Sequence, residues 1–262
     1  QNISILLEKF SIPMLILTGK DKGKVRIEKN LKIYKGEAKI IIGTHALIQD
    51  DVNFKNIGMV VIDEQHRFGV FQRMAFSFKG KKPSILVMSA TPIPRTLSLA
   101  AYGDMDESKI TEKPKGRLSI LTTSLKFSKE KILIERLKNK LKTKEKAYWI
   151  CPLIEESEEL DLKAATIRYK NLNKIFKNKV LLIHGRMKEK EKEEIMNRFQ
   201  KEDFKILVAT TVIEVGIDIK ETTTIIIEHA ERFGLAQLHQ LRGRVGRNNL
   251  QSSCVLLHKD SI

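Results

Sequence analysis

The chain has 262 residues, of which 42% are hydrophobic, so it is long enough to form the cores of two packed domains. Basic side chains outnumber acidic ones by a formal charge of +16, which makes a polyanion such as nucleic acid the first candidate partner. Two cysteines are too few for a disulfide framework or a metal cluster. No apolar run reaches the length of about 18 residues that a membrane span needs, and the sequence does not start with a signal-peptide pattern. We therefore expect a cytoplasmic protein without membrane contact.

Short apolar runs that are typical of buried parallel strands alternate with amphipathic stretches along the whole chain. The predicted strands are 13–18, 38–43, 59–62, 85–89, 147–152, 180–184, 206–210, 224–228 and 253–258. Helices are expected between them, for example over 129–141 with Ser128 as the N-cap. This alternation predicts an α/β fold with mainly parallel sheets sandwiched by helices.

A break in the pattern falls at 112–117, where proline, glycine and charged residues interrupt the apolar runs. We place a hinge there, which divides the chain into a first lobe of residues 1–116 and a second lobe of residues 117–262. Both lobes carry an excess of basic residues, which suits an anionic ligand that contacts both. The lysines of 188–192 alternate with glutamates, however, and such a run is typical of a solvated helix face.

A pair of carboxylates, Asp63 and Glu64, directly follows a predicted strand of the first lobe. The carboxyl ends of parallel strands are where open sheets bind their ligands. Asp63 suits Mg²⁺, which takes a few carboxylates together with phosphate oxygens, and Glu64 suits the polarisation of a water molecule. His66 is then placed to sense the nucleotide. Ser89 and Thr91 lie at the end of the next strand, where their hydroxyls could couple the carboxylates to a nucleic acid. The alternative is an ordinary acidic strand end.

A nucleotide site of this kind also needs a phosphate-binding loop, Gly-x-x-x-x-Gly-Lys-Ser/Thr, and these 262 residues contain none. The nearest candidate, 19–25, is one residue short between its glycines and has Val25 where the metal-binding hydroxyl belongs. We interpret Thr18 and Gly19 instead as a turn after a strand, which contacts a nucleic-acid backbone.

The stretch 237–247 carries a second group of candidate catalytic residues. Arg244 and Arg247 are three residues apart, so they would share a face on a helical turn. Such a pair can stabilise the charge on a transferring phosphoryl group, and Gln240 lies beside it. The alternative is a basic surface helix.

Two further strand ends of the second lobe carry groups that suit anions. The stretch 209–218 leaves its strand with hydroxyls for a nucleic-acid phosphate, followed by a glycine turn and a carboxylate that suits a nucleotide hydroxyl or the outer shell of the metal. The stretch 184–187 opens a helix after a strand, which is another place where anions bind. The residues assigned to these sites are Thr210, Thr211, Gly216, Asp218, His184, Gly185 and Arg186.

Together these motifs resemble those of superfamily 2 helicases. Asp-Glu-x-His at 63–66, Ser-Ala-Thr at 89–91 and Gln-x-x-Gly-Arg-x-Gly-Arg at 240–247 occur in that order. The longer runs at 63–70, 89–96, 148–157 and 234–247 are similar to the RecG family, and the resemblance covers nearly the whole chain. Transcription-repair coupling factors share part of these runs but typically show Asp-Glu-Glu-Gln where this chain has Asp-Glu-Gln-His, which favours RecG.

The resemblance implies two RecA-like lobes that hydrolyse ATP with Mg²⁺ and move on branched double-stranded DNA, such as stalled forks and Holliday junctions, in recombination and repair. It implies magnesium and water roles for Asp63 and Glu64, and arginine-finger roles for Arg244 and Arg247. It also implies a monomeric parent protein. The first-lobe motifs that would contact nucleic acid contain Thr18, Gly19, Thr44 and His45.

The family would carry a wedge domain, an adenine-contacting segment and the phosphate loop before residue 1, and a helical hairpin after residue 262. We therefore expect a motor fragment that neither hydrolyses ATP nor unwinds forks by itself. Three alternatives stay open on the sequence. They are a coupling-factor motor, a nucleic-acid-binding protein that uses the lobes without turnover, and an RNA helicase.

Overall fold

The structure is a computed structural model that describes residues 9–64, 83–89, 106–112, 114, 116–152, 158–210 and 219–260, together with residues 3, 6 and 7. The chain forms two compact units, residues 1–107 and residues 108–262. This division falls shortly before the segment 112–117, where the sequence predicts a hinge. The lobe boundary after residue 116 stays a prediction.

The described part of the first unit contains two pairs of parallel strands and a helix that connects the first pair. Its strands are β1 (Met14–Leu17), β2 (Ile40–Gly43), β3 (Met59–Ile62) and β4 (Ser84–Val87), and β1 pairs with β2 and β3 with β4. Helix α1 (Gly23–Lys35) forms the crossover from β1 to β2. It ends at Gly36, whose backbone φ of 71° lies in the left-handed region that glycine adopts without strain.

The second unit is built on a parallel sheet of six strands in the order β5–β10–β9–β6–β8–β7. The strands are β5 (Leu121–Lys126), β6 (Lys146–Ile150), β7 (Val180–Ile183), β8 (Ile206–Ala209), β9 (Thr222–Ile227) and β10 (Ser253–His258). The helices are α2 (Glu130–Lys140), α3 (Glu158–Ile175), α4 (Glu189–Lys201) and α5 (Leu235–Arg242). Each helix lies between two strands in the chain, as the predicted alternation requires.

Helices cover both faces of this sheet, so its central strands β6 and β9 are buried along their whole length. Trp149 of β6 packs on one face with residues of α2 and α3, such as Leu137 and Leu172. Its neighbour Tyr148 packs on the opposite face with Phe199 of α4, because successive side chains of a strand point to opposite sides. The α/β fold with sandwiched parallel sheets is thereby confirmed.

Two local predictions differ from the structure. Strand β5 is not among the predicted strands, because Thr122, Thr123 and Ser124 lack an apolar pattern. It lies at the sheet edge and is mostly exposed. Helix α2 begins at Glu130, and Ser128 is not its N-cap. The Ser128 hydroxyl instead donates a hydrogen bond of 2.6 Å to Asp260, which ties the start of α2 to the segment after β10.

Gly43 ends β2 where that strand passes close to β1. A Cβ atom at this position would lie 2.3 Å from the carbonyl oxygen of Leu17 and 2.7 Å from Cγ of Leu47. Because the first contact is with paired backbone, we expect Gly43→Ala to destabilise the first unit by about 1–3 kcal/mol, the usual range for overpacking. Urea unfolding followed by far-ultraviolet circular dichroism measures this loss.

The matched control for this prediction is Gly58→Ala. A Cβ atom at Gly58 meets nothing within 4 Å, so the same chemical change causes no collision there. Equal unfolding midpoints for the two alanine variants would show that β1 and β2 adjust to the added methyl group.

Candidate functional site

The predicted nucleic-acid residues of the first unit lie on neighbouring strand ends. Leu17 of β1 is opposite Gly43 of β2 in the parallel register, so Thr18 and Thr44 follow at the same sheet edge. Thr44 and His45 are exposed, and so is Gly19. The structure therefore brings together the two turns that the sequence analysis assigns to one function.

The first of these turns is held by a carboxylate. The backbone N–H of Thr18 donates a hydrogen bond of 2.8 Å to Asp21 Oδ2, and the Thr18 hydroxyl lies 3.2 Å from the same oxygen. Lys29 of α1 pairs with the other oxygen of Asp21 at 2.6 Å. The hydrogen bond from Lys29 is the main reason that the pKa of Asp21 lies below its usual value, so Asp21 is ionised and its charge is balanced.

The carboxylate pair lies at the corresponding edge of β3 and β4. Ile62 is opposite Val87, and the N–H of Met88 donates to the Ile62 carbonyl oxygen at 2.8 Å, so Asp63 and Glu64 leave the sheet beside Ser89. The N–H of Glu64 donates to Asp63 Oδ1 at 2.9 Å.

Glu64 has a backbone φ of 54°, in the left-handed region that non-glycine residues rarely adopt. Strained backbone of this kind is concentrated at functional sites, where the surrounding structure imposes it. His66 and Thr91, which the sequence analysis assigns to the same site, lie outside the described residues.

The anion-binding residues of the second unit also meet at one strand edge. Ile183 of β7 is opposite Ala209 of β8, so His184 and Thr210 follow side by side. Gly185 and Arg186 are exposed, as a phosphate contact requires. Thr210, however, is only 3% exposed, and its role as a phosphate contact stays a prediction. Thr211, Gly216 and Asp218 lie outside the described residues.

His184 is half-buried at this edge, and its Nδ1 atom is buried without a hydrogen-bond partner among the described residues. Burial, followed by the nearby charges of Lys192 and Arg186, lowers the pKa of His184 below its usual value. The imidazole is therefore neutral at pH 7, so it suits a hydrogen bond to a ligand better than an ion pair with a phosphate.

The two candidate arginine fingers do not lie on a helix. Helix α5 carries Gln240 but ends at Arg242, so Arg244 and Arg247 occupy the turn that follows. Arg244 and Arg247 therefore do not share a helical face, and the prediction from their three-residue spacing is wrong on this point. The side chain of Arg247 folds back instead, and its Nε donates to the Gly243 carbonyl oxygen at 3.3 Å.

This arginine-bearing turn is fixed to the sheet from both sides of Arg244. Leu241 and Val245 are buried at 1% and 2% exposure in the core beneath it. Gly246 has a φ of 75°, and a Cβ atom there would lie 2.8 Å from Ile120 Cγ1. The glycine is thus required both by its left-handed backbone and by close packing.

A buried charge network at the end of β9 was not identified from the sequence. Glu228 is 7% exposed and accepts a hydrogen bond of 2.7 Å from the indole N–H of Trp149. Arg168 of α3 forms an ion pair with Glu228 and another with Glu130 at the start of α2, and its guanidinium lies 5.1 Å from the Trp149 ring centre. The network therefore joins two helices to two strands at the carboxyl edge of the sheet.

The described residues contain no group of three or more histidine, cysteine, aspartate or glutamate side chains that could hold a metal ion by themselves. Asp63 is exposed at its strand end, and one carboxylate with phosphate oxygens is the ligand set that Mg²⁺ commonly takes. The residues therefore fit a magnesium ion that arrives with a nucleotide. No helix in the described part of the chain is long and apolar enough to cross a membrane.

Two family models match the sequence. The one described as DEAD/DEAH box helicase matches residues 1–99, and the one described as helicase conserved C-terminal domain matches residues 128–249. The two matched segments correspond to the two halves of the chain that carry the carboxylate pair and the arginine-bearing turn.

The ATP-dependent DNA helicase RecG of Aquifex aeolicus is 50% identical over 267 residues, which cover 100% of this chain and 33% of that protein. RecG of Bacillus subtilis is 47% identical over 254 residues, covering 96% of this chain and 37% of that protein. A solved structure of RecG bound to a three-way DNA junction is 41% identical with a TM-score of 0.73, over 100% of this chain and 34% of that one. The chain spans about a third of the length of these relatives.

Proposed function

We propose that this chain, which belongs to the RecG family of superfamily 2 helicases, forms the two motor lobes of an ATP-dependent helicase that moves on branched double-stranded DNA. The observation that carries the proposal is the position of Asp63 and Glu64 beside Ser89, at the carboxyl ends of paired parallel strands. Sequence identity to RecG relatives across the whole chain supports the same assignment. The RecG relative whose structure contains a three-way junction supports the choice of branched DNA.

In the proposed reaction, Asp63 would hold Mg²⁺ together with the phosphates of ATP, and the bound ion would supply electrostatic stabilisation of the charge on those phosphates. Glu64 accepts a proton from the attacking water at its carboxylate. Arg244 and Arg247 stabilise negative charge on the transferring phosphoryl group, with Gln240 beside them. Gly216 and Asp218 are proposed nucleotide contacts, and Ser89 and Thr91 couple the nucleotide to DNA.

The proposed DNA contacts come from both units. In the first unit they are made by the paired turns that contain Thr18, Gly19, Thr44 and His45. In the second unit they are made by the strand ends that contain His184, Gly185, Arg186, Thr210 and Thr211. Backbone N–H groups, hydroxyls and basic side chains of this kind recognise phosphates, so they give affinity without sequence preference.

We expect the 262-residue chain by itself to bind DNA weakly and without ATP hydrolysis. Basic groups at strand ends supply phosphate contacts, but these residues do not include a loop that holds the phosphates of ATP. The measurement is the binding of a labelled three-way junction and of an equally long duplex across a salt series, with ATPase activity followed in parallel. Full-length RecG of Aquifex aeolicus is the positive control.

The expected result is equal affinity for both DNAs, a steep loss of affinity with salt, and no turnover above background. Robust DNA-stimulated hydrolysis by the chain would contradict its proposed inactivity. Absence of any DNA binding at low salt would contradict the proposed motor role.

A further inference from the structure

Helix α1 presents three polar side chains, Arg26, Lys29 and Asn30, on one face. Residues three and four positions apart lie on the same side of a helix, and this polar face of α1 points toward the two turns at the ends of β1 and β2. Ile33, one further turn along the same side, is 1% exposed in the core with Leu17. The buried side chain of Ile33 therefore fixes the position of this polar face on the first unit.

The polar face of α1 contacts two acidic residues. The first is Asp21, which pairs with Lys29 and orders the turn at Thr18. The second is Asp51, which lies in the segment that follows Thr44 and His45. Arg26 Nε lies 2.6 Å from Asp51 Oδ2, and Arg26 Nη2 lies 2.8 Å from Asp51 Oδ1, so the two side chains form a bidentate pair. Asn30 donates to Asp51 Oδ2 at 3.0 Å and to the Asp51 carbonyl oxygen at 3.2 Å.

Arg26 also contacts the second turn directly. Its Nη2 atom donates to Gln49 Oε1 at 2.7 Å and approaches the carbonyl oxygen of Ala46, the residue after His45, at 3.5 Å. The neighbouring apolar residues Ala46 and Val52 are 4% and 0% exposed in the same core as Leu17. Each polar contact thus lies next to a buried residue that fixes the backbone.

An isolated ion pair on a protein surface contributes little to the stability of the fold, because water and salt screen it. The Arg26–Asp51 pair differs from such a pair in its geometry. The Arg26 side chain is only 17% exposed, its contact with Asp51 is bidentate, and Asn30 and Gln49 add hydrogen bonds. The hydrogen bonds from Arg26 lower the pKa of Asp51 to about 2, so the carboxylate stays charged at every pH at which DNA binding is measured.

We propose that Arg26 is a positioning residue, which acts through Asp51 to hold the Thr44-His45 turn against helix α1, the helix whose Lys29 orders the Thr18-Gly19 turn, so that both turns contact one DNA strand together. This inference rests on the proposed DNA-binding function of those turns. The polar face of α1 also neutralises Asp21 and Asp51, two carboxylates that would otherwise repel a phosphate at this edge.

Asp51→Asn distinguishes a positioning role of Arg26 from a general effect of net charge on DNA binding. It removes a negative charge, so general electrostatics predicts tighter DNA binding, whereas loss of the Arg26 contact predicts weaker binding. The matched control is Asp50→Asn, which makes the same charge change at the adjacent exposed residue, whose carboxylate takes no part in this network. We expect Asp51→Asn to bind a labelled duplex about fivefold more weakly than Asp50→Asn, as for one misplaced phosphate contact.

The slope of log affinity against log salt distinguishes positioning from partial unfolding. A misplaced contact lowers the slope by about one, whereas an unfolded fraction lowers the number of active molecules and leaves the slope unchanged. If Asp51→Asn does not fold, Arg26→Lys serves instead, because lysine keeps the charge but cannot form the bidentate pair. Weaker binding by Arg26→Lys with a lower slope is then the expected result.

Equal affinity and equal slope in Asp51→Asn and Asp50→Asn, or in Arg26→Lys and the unmodified chain, would overturn the positioning role. In that outcome the proposed function survives, because the unmodified chain still binds DNA. If the unmodified chain binds no DNA at low salt, the proposed function and the positioning role are both wrong.

Discussion

Arg168→Met is expected to destabilise the second unit by about 3 kcal/mol. Arg168 is the cation between Glu228 and Glu130, and its removal leaves Glu228, which is 7% exposed, as a buried carboxylate whose hydrogen bond from the Trp149 indole is with a neutral group. Breaking a buried ion pair from one side costs about 3–5 kcal/mol, and the 19% exposure of the Arg168 side chain places the value at the lower end.

Unfolding in urea, followed by fluorescence, measures this loss, because Trp149 is the single tryptophan of the sequence and is fully buried in this unit. Arg136→Met is the matched control, since Arg136 is exposed on α2. If both variants unfold at the same urea concentration, the network contributes nothing to stability.

The stability that Arg168→Met loses should also depend on pH. Burial raises the pKa of Glu228 above its usual value, and the charge of Arg168 opposes that rise. When the folded pKa of an acid is raised, its contribution to stability is complete below the unfolded pKa of about 4.3 and is lost as the pH rises through the folded value. Without Arg168 the folded pKa rises further, so Arg168→Met should lose more stability at pH 8 than at pH 5.

Glu64→Gln is expected to lower the rate of ATP hydrolysis by a factor of about 10²–10⁴ in a protein that carries this sequence together with a phosphate loop. Glutamine keeps the size of the side chain but cannot accept the proton of the attacking water. DNA binding should stay close to that of the unmodified protein, because the proposed DNA contacts lie elsewhere. Steady-state ATPase measurements with saturating DNA, combined with DNA titrations, separate the two effects.

Glu37→Gln makes the same chemical change at an exposed residue between α1 and β2, and it should leave the ATPase rate unchanged. A Glu64→Gln protein that hydrolyses ATP at the normal rate would remove Glu64 from the reaction. Equal loss of hydrolysis and of DNA binding would indicate a damaged first unit instead.

Much of the fold follows from apolar patterning alone. The predicted strands 59–62 and 253–258 agree with β3 and β10 to the residue, because each contains an apolar run that is followed by charged residues. The carboxyl-edge rule also predicts which candidate residues lie together, since parallel register fixes the neighbours of each strand end. Thr18 and Thr44 in the first unit are the example.

The parts that were not predicted depend on contacts between residues far apart in the chain. Glu228 and Arg168 are ordinary charged residues in the sequence, and only packing of α3 against β9 reveals that they neutralise each other. Lys146 counts toward the basic excess, yet it is 6% exposed and donates to the carbonyl oxygen of Glu202 at 2.8 Å, just after α4. Net charge therefore overstates the number of basic groups that are available to a polyanion.

The left-handed backbone of Glu64 has a consequence for how the sequence can evolve. A glutamate with a φ of 54° is less stable than glycine or asparagine would be at the same position, by about 1 kcal/mol. Substitutions that stabilise the fold there are thus available by single changes, and each removes the carboxylate that we propose as the proton acceptor. Selection for stability and selection for activity act in opposite directions at this residue, and the first unit would fold more stably without its proposed catalytic base.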